Sequence, residues 1–238
     1  PIDWVPIVKP TYTANEVIPE NAYQLAVERG AEWYIKGRFL IHPNWKNEWL
    51  SIDTLSLPVG PPMDKNQPSG DGTLGIMEGH YSYINPNGSQ PYRYWLRADC
   101  VAEAAMTFAM SSEVSGKESD KEIAENLMEF LFSTDAFKTT NSKDLDKSSY
   151  GLIGWAGTRP SRYYGDDNAR VLLGTILASQ GIKVSKWDRQ ILELILANFR
   201  TSGEKGFRGN ALNGSDIDAK TWQVLMNGQI ENTAPHYE

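Results

Sequence analysis

Carboxylates are the sharpest chemical candidates in this chain of 238 residues. Asp166 and Asp167 stand side by side where a helical pattern opens, and Asp99 opens an earlier one. Each has two readings. An acid at a helix start caps free N–H groups and suits the positive end of the helix dipole, an arrangement worth about 1 kcal/mol. Alternatively, one acid caps while another points into a pocket as proton donor, base or hydrogen-bond acceptor. Glu103 lies one turn beyond Asp99 in an otherwise apolar stretch. An ionised carboxylate there needs a partner, and an arginine or a hydrogen bond inside the fold is the simple answer. Glu78, in Ile76-Met77-Glu78-Gly79-His80, is a loop acid that either enters a pocket or stays in solvent.

Arginines and aromatic residues accompany these acids. Arg97, Arg162, Arg200 and Arg208 are planar donors suited to a carboxylate-bearing ligand, or to pairing with the protein's own acids. Trp95, Tyr163 and Tyr164 lie in polar segments, where a ring offers a flat apolar face to a ligand such as a sugar, or fills the core. Other chemistries lack support. The single cysteine, Cys100, permits no intrachain disulfide and no cysteine-based zinc cluster, and reads as a small buried residue. His42, His80 and His236 are far apart with no metal-binding spacing, so no metal and no cofactor is expected. Asp144-Leu145-Asp146 begins like a calcium loop but lacks glycine at the sixth position, and Trp155 stands where the bidentate glutamate belongs. No phosphate-binding loop or nucleophile elbow is present. A formal net charge of −7 argues against a nucleic-acid binder. The longest apolar runs are too short to span a bilayer, and the first residues do not read as a signal peptide.

The elements that must position these groups come in two parts. Residues 20–39 read as a helix. Residues 41–96 hold prolines and glycines without helical periodicity, too long for a simple connector and read as a loop-rich insertion. Thr54–Val59 and Leu74–Ile84 are short strands or merely extended. From residue 97 onward helices alternate in character. Residues 98–112 and 167–180 are apolar nearly all round, whereas 120–132 and 186–200 carry one apolar stripe; a sixth helix spans 216–228. Buried, covering, buried, covering predicts an all-α fold, a two-layer array of α/α hairpins. A faint repeat at an offset of 68 pairs Asp99 with Asp167 and Ser111 with Ser179. If the inner helices run parallel, their acid-bearing N-termini gather at one end. Loops 88–98, 155–166 and 203–216 then line a funnel.

The alternating helices, with Arg97-Ala-Asp99-Cys100, Tyr164-Gly-Asp166-Asp167-Asn168-Ala169-Arg170, Arg200-Thr-Ser-Gly203, Gly206-Phe207-Arg208 and Pro235-His236-Tyr237-Glu238, resemble bacterial proteins of the six-hairpin glycosidase-like superfamily. That resemblance covers residues 20–238. It implies an (α/α) toroid, an oligosaccharide or polysaccharide as partner, and glycoside hydrolysis by two carboxylates. On this reading Asp166 or Asp167 is one acid and Glu78 or Asp99 the other. Trp95, Tyr163 and Tyr164 are sugar platforms, and Arg97 and Arg208 hold hydroxyls or a uronate. The same scaffold supports a lyase or epimerase, for which His80 or His236 is the candidate base, or a non-catalytic glycan-binding or scaffold protein. The compartment stays open, with a secreted or periplasmic setting favoured.

Length completes the expectation. A twelve-helix ring at this density needs roughly 480 residues, given connections far longer than ordinary compact domains use. Residues 1–238 thus read as one incomplete toroid-like domain, about half a ring. A missing C-terminal half or a second chain would close it, and an unclosed ring would expose apolar surface.

Overall fold

The computed structural model describes residues 10–206 and 211–228. The chain is mixed α/β, about 49% helix and 10% strand, which corrects the all-α expectation. The helices are α1 (Ala22–Lys36), α2 (Lys46–Asp53), α3 (Ala98–Ser115), α4 (Glu118–Ser133), α5 (Gly165–Ile182), α6 (Asp188–Thr201), α7 (Gly214–Asp218) and α8 (Trp222–Asn227). The strands are β1 (Val59–Gly60), β2 (Met77–His80), β3 (Tyr92–Leu96), β4 (Arg162–Tyr164) and β5 (Ala211–Asn213). Strands β1, β3 and β2 form one antiparallel sheet with β3 in the middle, and β4 pairs antiparallel with β5. These strands are two to five residues long. Most are too short to display a period-two pattern, so only β1 and β2 overlap the segments that read as strand or extended chain, and β3, β4 and β5 fall in segments that read as loops.

Residues 41–96 are therefore structured. Strand β3 alternates: Tyr92, Tyr94 and Leu96 point into the core while Arg93 and Trp95 face outward. Helix α2 fixes it in place. The Trp49 indole donates to the Tyr94 carbonyl at 2.8 Å, and the Asp53 carboxylate accepts the Leu96 N–H at 3.1 Å. Burial raises the pKa of Asp53 to about 6.

The helical half is built on α3 and α5. Their facing surfaces are made of small residues. A methyl group added at Gly174 would meet the backbone of Ala102 at 2.8 Å, and one at Gly181 would meet Ala109 at 3.2 Å. Contacts that advance together along both helices mean that α3 and α5 run parallel. Helix α3 ends at Gly116, whose φ of 72° closes the helix with a left-handed residue. The chain turns back as α4, whose stripe of Ile123, Leu127, Met128 and Leu131 is buried. Asp120 of α4 accepts from the Ser111 hydroxyl of α3 at 2.6 Å.

Three expectations for the helices change. The sixth helix is two short ones, α7 and α8, separated around Thr221, whose hydroxyl accepts the Val224 N–H. Helix α5 is buried on one side only, for Leu173 is 58% exposed and Ile176 is exposed too. Helix α6 buries Ile191 and Leu194 but presents Leu192, Leu196 and Phe199 outward, the last 66% exposed.

Candidate functional site

Short strands deliver the chain directly into the starts of α3, α5 and α7. The residues preceding the three helices, Arg97, Tyr164 and Asn213, all keep extended backbone with ψ near 140°. None of the three uses a side chain to cap its helix. The acids lie within the first turn instead, Asp99 in α3 and Asp166 and Asp167 in α5. The helix dipole still favours them there, but the N-cap reading of these aspartates is set aside. Because α3 and α5 are parallel, their acids meet.

Arg97 is the hub. Its Nη2 donates to Asp99 Oδ2 at 2.8 Å and to Asp167 Oδ1 at 2.7 Å, its Nε to Asp99 Oδ1 at 3.1 Å, and its Nη1 to Glu78 Oε1 at 3.1 Å. Arg93 places Nε 3.1 Å from Glu78 Oε2, an ion pair without hydrogen-bond alignment. On the far side, Arg170 Nη1 reaches Asp99 Oδ2 at 2.7 Å and clasps Glu103 with two bonds of 2.7–2.8 Å. Three guanidinium groups and four carboxylates thus form one chain from β2 to α5, with one negative charge in excess when all are ionised.

The carboxylates around Arg97 are more buried than Arg97 itself. The Asp99 side chain is 0% exposed, that of Asp167 4% and that of Glu78 12%. Removing charges from water is costly, so such a cluster persists only when each is paired. Asp167 bears the remaining strain. Burial, and then the Asp99 charge beside it, raise its pKa to about 7, against the opposing pull of Arg97. Burial likewise raises the pKa of Glu78, although Arg97 and Arg93 oppose it. The carboxylates in turn hold Arg97 more firmly protonated than usual. A carboxyl kept protonatable near neutral pH beside other carboxyl groups and a guanidinium is the arrangement acid–base chemistry uses.

An aromatic ledge borders the cluster. Trp155 stands edge-on to Trp95 at 5.2 Å and to Tyr164 at 5.6 Å between ring centres. Arg97 lies 5.9 Å from the Trp155 ring, and Arg93 sits 4.8 Å from the centre of Trp95. The loop carrying Trp155 is fastened at both ends. The Ala98 N–H donates to the Trp155 carbonyl and the Gly157 N–H to the Leu96 carbonyl. Buried Asn168 accepts from the Ile153 N–H and donates to the Ile153 and Tyr164 carbonyls.

The sequence-derived residues separate accordingly. Glu78, Arg97, Asp99 and Asp167 come together, with Trp95 and Tyr164 on the border. Asp166 lies beside them with one carboxylate oxygen buried and unpartnered. Tyr163 does not serve as a platform: it is fully buried against Leu152, Ala197 and Ile217, because the alternation of β4 turns it inward. His80 belongs to an aromatic cluster with Trp33, Phe39 and Tyr92, and burial lowers its pKa. Arg162 bonds Asn213 across β4 and β5, and Arg200 lies elsewhere, on α6. Arg208 and His236 fall outside the described residues.

Sequence reasoning missed Arg93, Arg170, Trp155 and Asn168. Arg170 had a signal. It falls three residues after Asp167, and Glu103 falls four after Asp99, so opposite charges stand about one turn into two apolar helices. Among the described residues no cluster of histidine, cysteine and carboxylate side chains fits a metal ion, and no helix is long and apolar enough to cross a membrane. Comparison with protein-family models, curated proteins and solved structures finds no match.

Proposed function

We propose that the Arg97 cluster is a glycan-directed acid–base site and that the protein is a glycoside hydrolase, with Asp167 as proton donor and Glu78 as the second carboxyl. One observation carries the reading: a single guanidinium holds Asp167 on Nη2 and Glu78 on Nη1. The two carboxyl groups thus approach one cation from neighbouring nitrogens, a pairing of the kind glycosidases use. Asp167, with a pKa of about 7, is the group able to give up a proton at neutral pH. Glu78, facing Arg97 and Arg93, is the base or nucleophile. Trp95, Trp155 and Tyr164 offer ring faces for a sugar, and Arg93 offers a guanidinium to a uronate.

A second reading rests on a different observation. Arg97 is already occupied by three carboxylates, and Asp99 and Asp167 have little exposed surface. That suits a fastening between α3 and the rest of the fold, with the aromatic ledge acting as a non-catalytic glycan-binding surface.

Incubation with aryl glycosides and uronate-containing oligosaccharides, read by reducing-end release, separates the two. The hydrolase reading expects release from at least one substrate and a loss of about 100-fold or more for Asp167→Asn. Binding without release, unchanged by Asp167→Asn, supports the second reading. An unsaturated product absorbing in the ultraviolet would instead indicate a lyase.

A further inference from the structure

A cavity of about 810 Å³ opens between α6, α7, α8 and the segment Leu145–Tyr150. That volume lies within the roughly 300–1,000 Å³ typical of small-molecule sites. Its walls are mainly apolar: Leu196 and Phe199 from α6, and Trp222 and Met226 from α8, all of them exposed large side chains. Charge around it is asymmetric. Lys147, Lys220 and Arg200 line it, against Asp146 and Asp218. Asp218 is already engaged, accepting from the Ser149 N–H at 2.8 Å, the Ser149 hydroxyl at 3.0 Å and Asn141 at 3.0 Å.

Arg200 is the informative residue. Its Nη2 donates to the Tyr150 carbonyl. Its Nε is shut off from solvent with no acceptor. Among the described residues no carboxylate pairs with it, unlike Arg93, Arg97, Arg170 and Arg189. Burial disfavours its charge, and Tyr150 offsets this only in part. A half-buried guanidinium without a counter-ion, at the wall of an apolar cavity, is stabilised by an anion that carries its own apolar body.

We propose that this cavity binds an amphipathic carboxylate, its head group against Arg200 and its acyl or aryl body against Phe199, Leu196 and Trp222. The site is separate from the Arg97 cluster and shares no residue with it. Ligand fit rather than reaction is inferred.

Calorimetry on the full chain tests the proposal with four probes: decanoate, 2-naphthoate, the neutral analogue decanol, and glucuronate. Binding of decanoate or of 2-naphthoate, with decanol at least tenfold weaker than decanoate or undetectable, is the expected result. Which of the two anions binds tells an acyl from an aryl body. Arg200→Gln should abolish the discrimination between anion and alcohol, and Trp222→Ala should weaken the bound anion by about tenfold while leaving the fold intact. Should Arg200→Gln unfold, the anion–alcohol comparison and Trp222→Ala decide. Equal binding of decanoate and decanol, binding of glucuronate as tight as that of the amphipathic anions, unchanged binding by Trp222→Ala, or no binding of either anion would overturn the proposal.

Discussion

At the scale of single residues, Arg97 decides the site. It holds Glu78, Asp99 and Asp167 together, and without it three carboxylates share a poorly solvated space. Arg97→Met is therefore expected to destabilise the fold by about 3–5 kcal/mol, measured by urea unfolding, because removing one partner of a buried ionic group leaves uncompensated charge. Arg97→Lys should recover only part of this, since an ammonium cannot match the fork that meets Asp99 with two bonds. Asp167 gives a pH signature. Its folded-state pKa of about 7 lies above the ordinary 3.8, so the folded state binds the extra proton between those values. Its contribution to stability is then fully present below about pH 4 and is lost as the pH rises toward 7. Thermal melts of the wild type and Asp167→Asn across pH 4–8 check this: the asparagine variant should gain on the wild type up to about pH 7 and run parallel above it. The residue types at this site were legible. Glu78, Arg97, Asp99 and Asp167 stand out as charges at element boundaries. Their roles were not, because neither the approach of β2 to α3 nor the pairing of Arg170 with Glu103 is encoded locally.

At the scale of elements, the parallel packing of α3 and α5 brings the acids together. It depends on small residues at the contact. Gly174→Ala places a methyl group 2.8 Å from the Ala102 backbone, where no flexible side chain can yield. We expect a loss of about 1–3 kcal/mol in urea unfolding, as overpacking costs, and a lowered Asp167 pKa as the helix starts separate. The long helices were legible from their patterns, and most limits fall within two or three residues of those read from sequence. Gly116 marks the end of α3 that a left-handed residue requires. The strands were less visible. In Tyr92-Arg93-Tyr94-Trp95-Leu96 the outward Trp95 is as apolar as its buried neighbours, so alternation is blurred in the longest of the described strands. The sheet also depends on α2, through Trp49 and Asp53, contacts between segments about 45 residues apart.

At the scale of the whole molecule, two units of strand, inner helix and returning helix, β3-α3-α4 and β4-α5-α6, stand side by side, and β5-α7 begins in the same way. An apolar all-round helix reads as buried, and most of α3 is, Met110 and Val114 near its end excepted. Helix α5 is not, because neighbours cover only one of its sides: Leu173 and Ile176 join Leu192, Leu196 and Phe199 of α6 among the exposed apolar residues. Such surface should bind a hydrophobic dye. Leu173→Glu with Leu192→Glu is expected to lower dye fluorescence severalfold and to change the melting temperature by no more than a degree or two, since neither residue is in the core. The net charge and the absence of phosphate-binding motifs were legible at this scale. The separation of an aromatic-bordered acid cluster from the apolar cavity at Arg200 was not, since it follows from tertiary placement alone. The central claim concerns the carboxyl that Arg97 holds between α3 and α5. A ¹³C NMR titration of the carboxyl carbons, with Asp167 assigned by its loss in Asp167→Asn, tests it most directly. A midpoint at about pH 7 is expected for that signal; a midpoint in the ordinary aspartate range, near 4, would overturn the assignment of Asp167 as the proton donor.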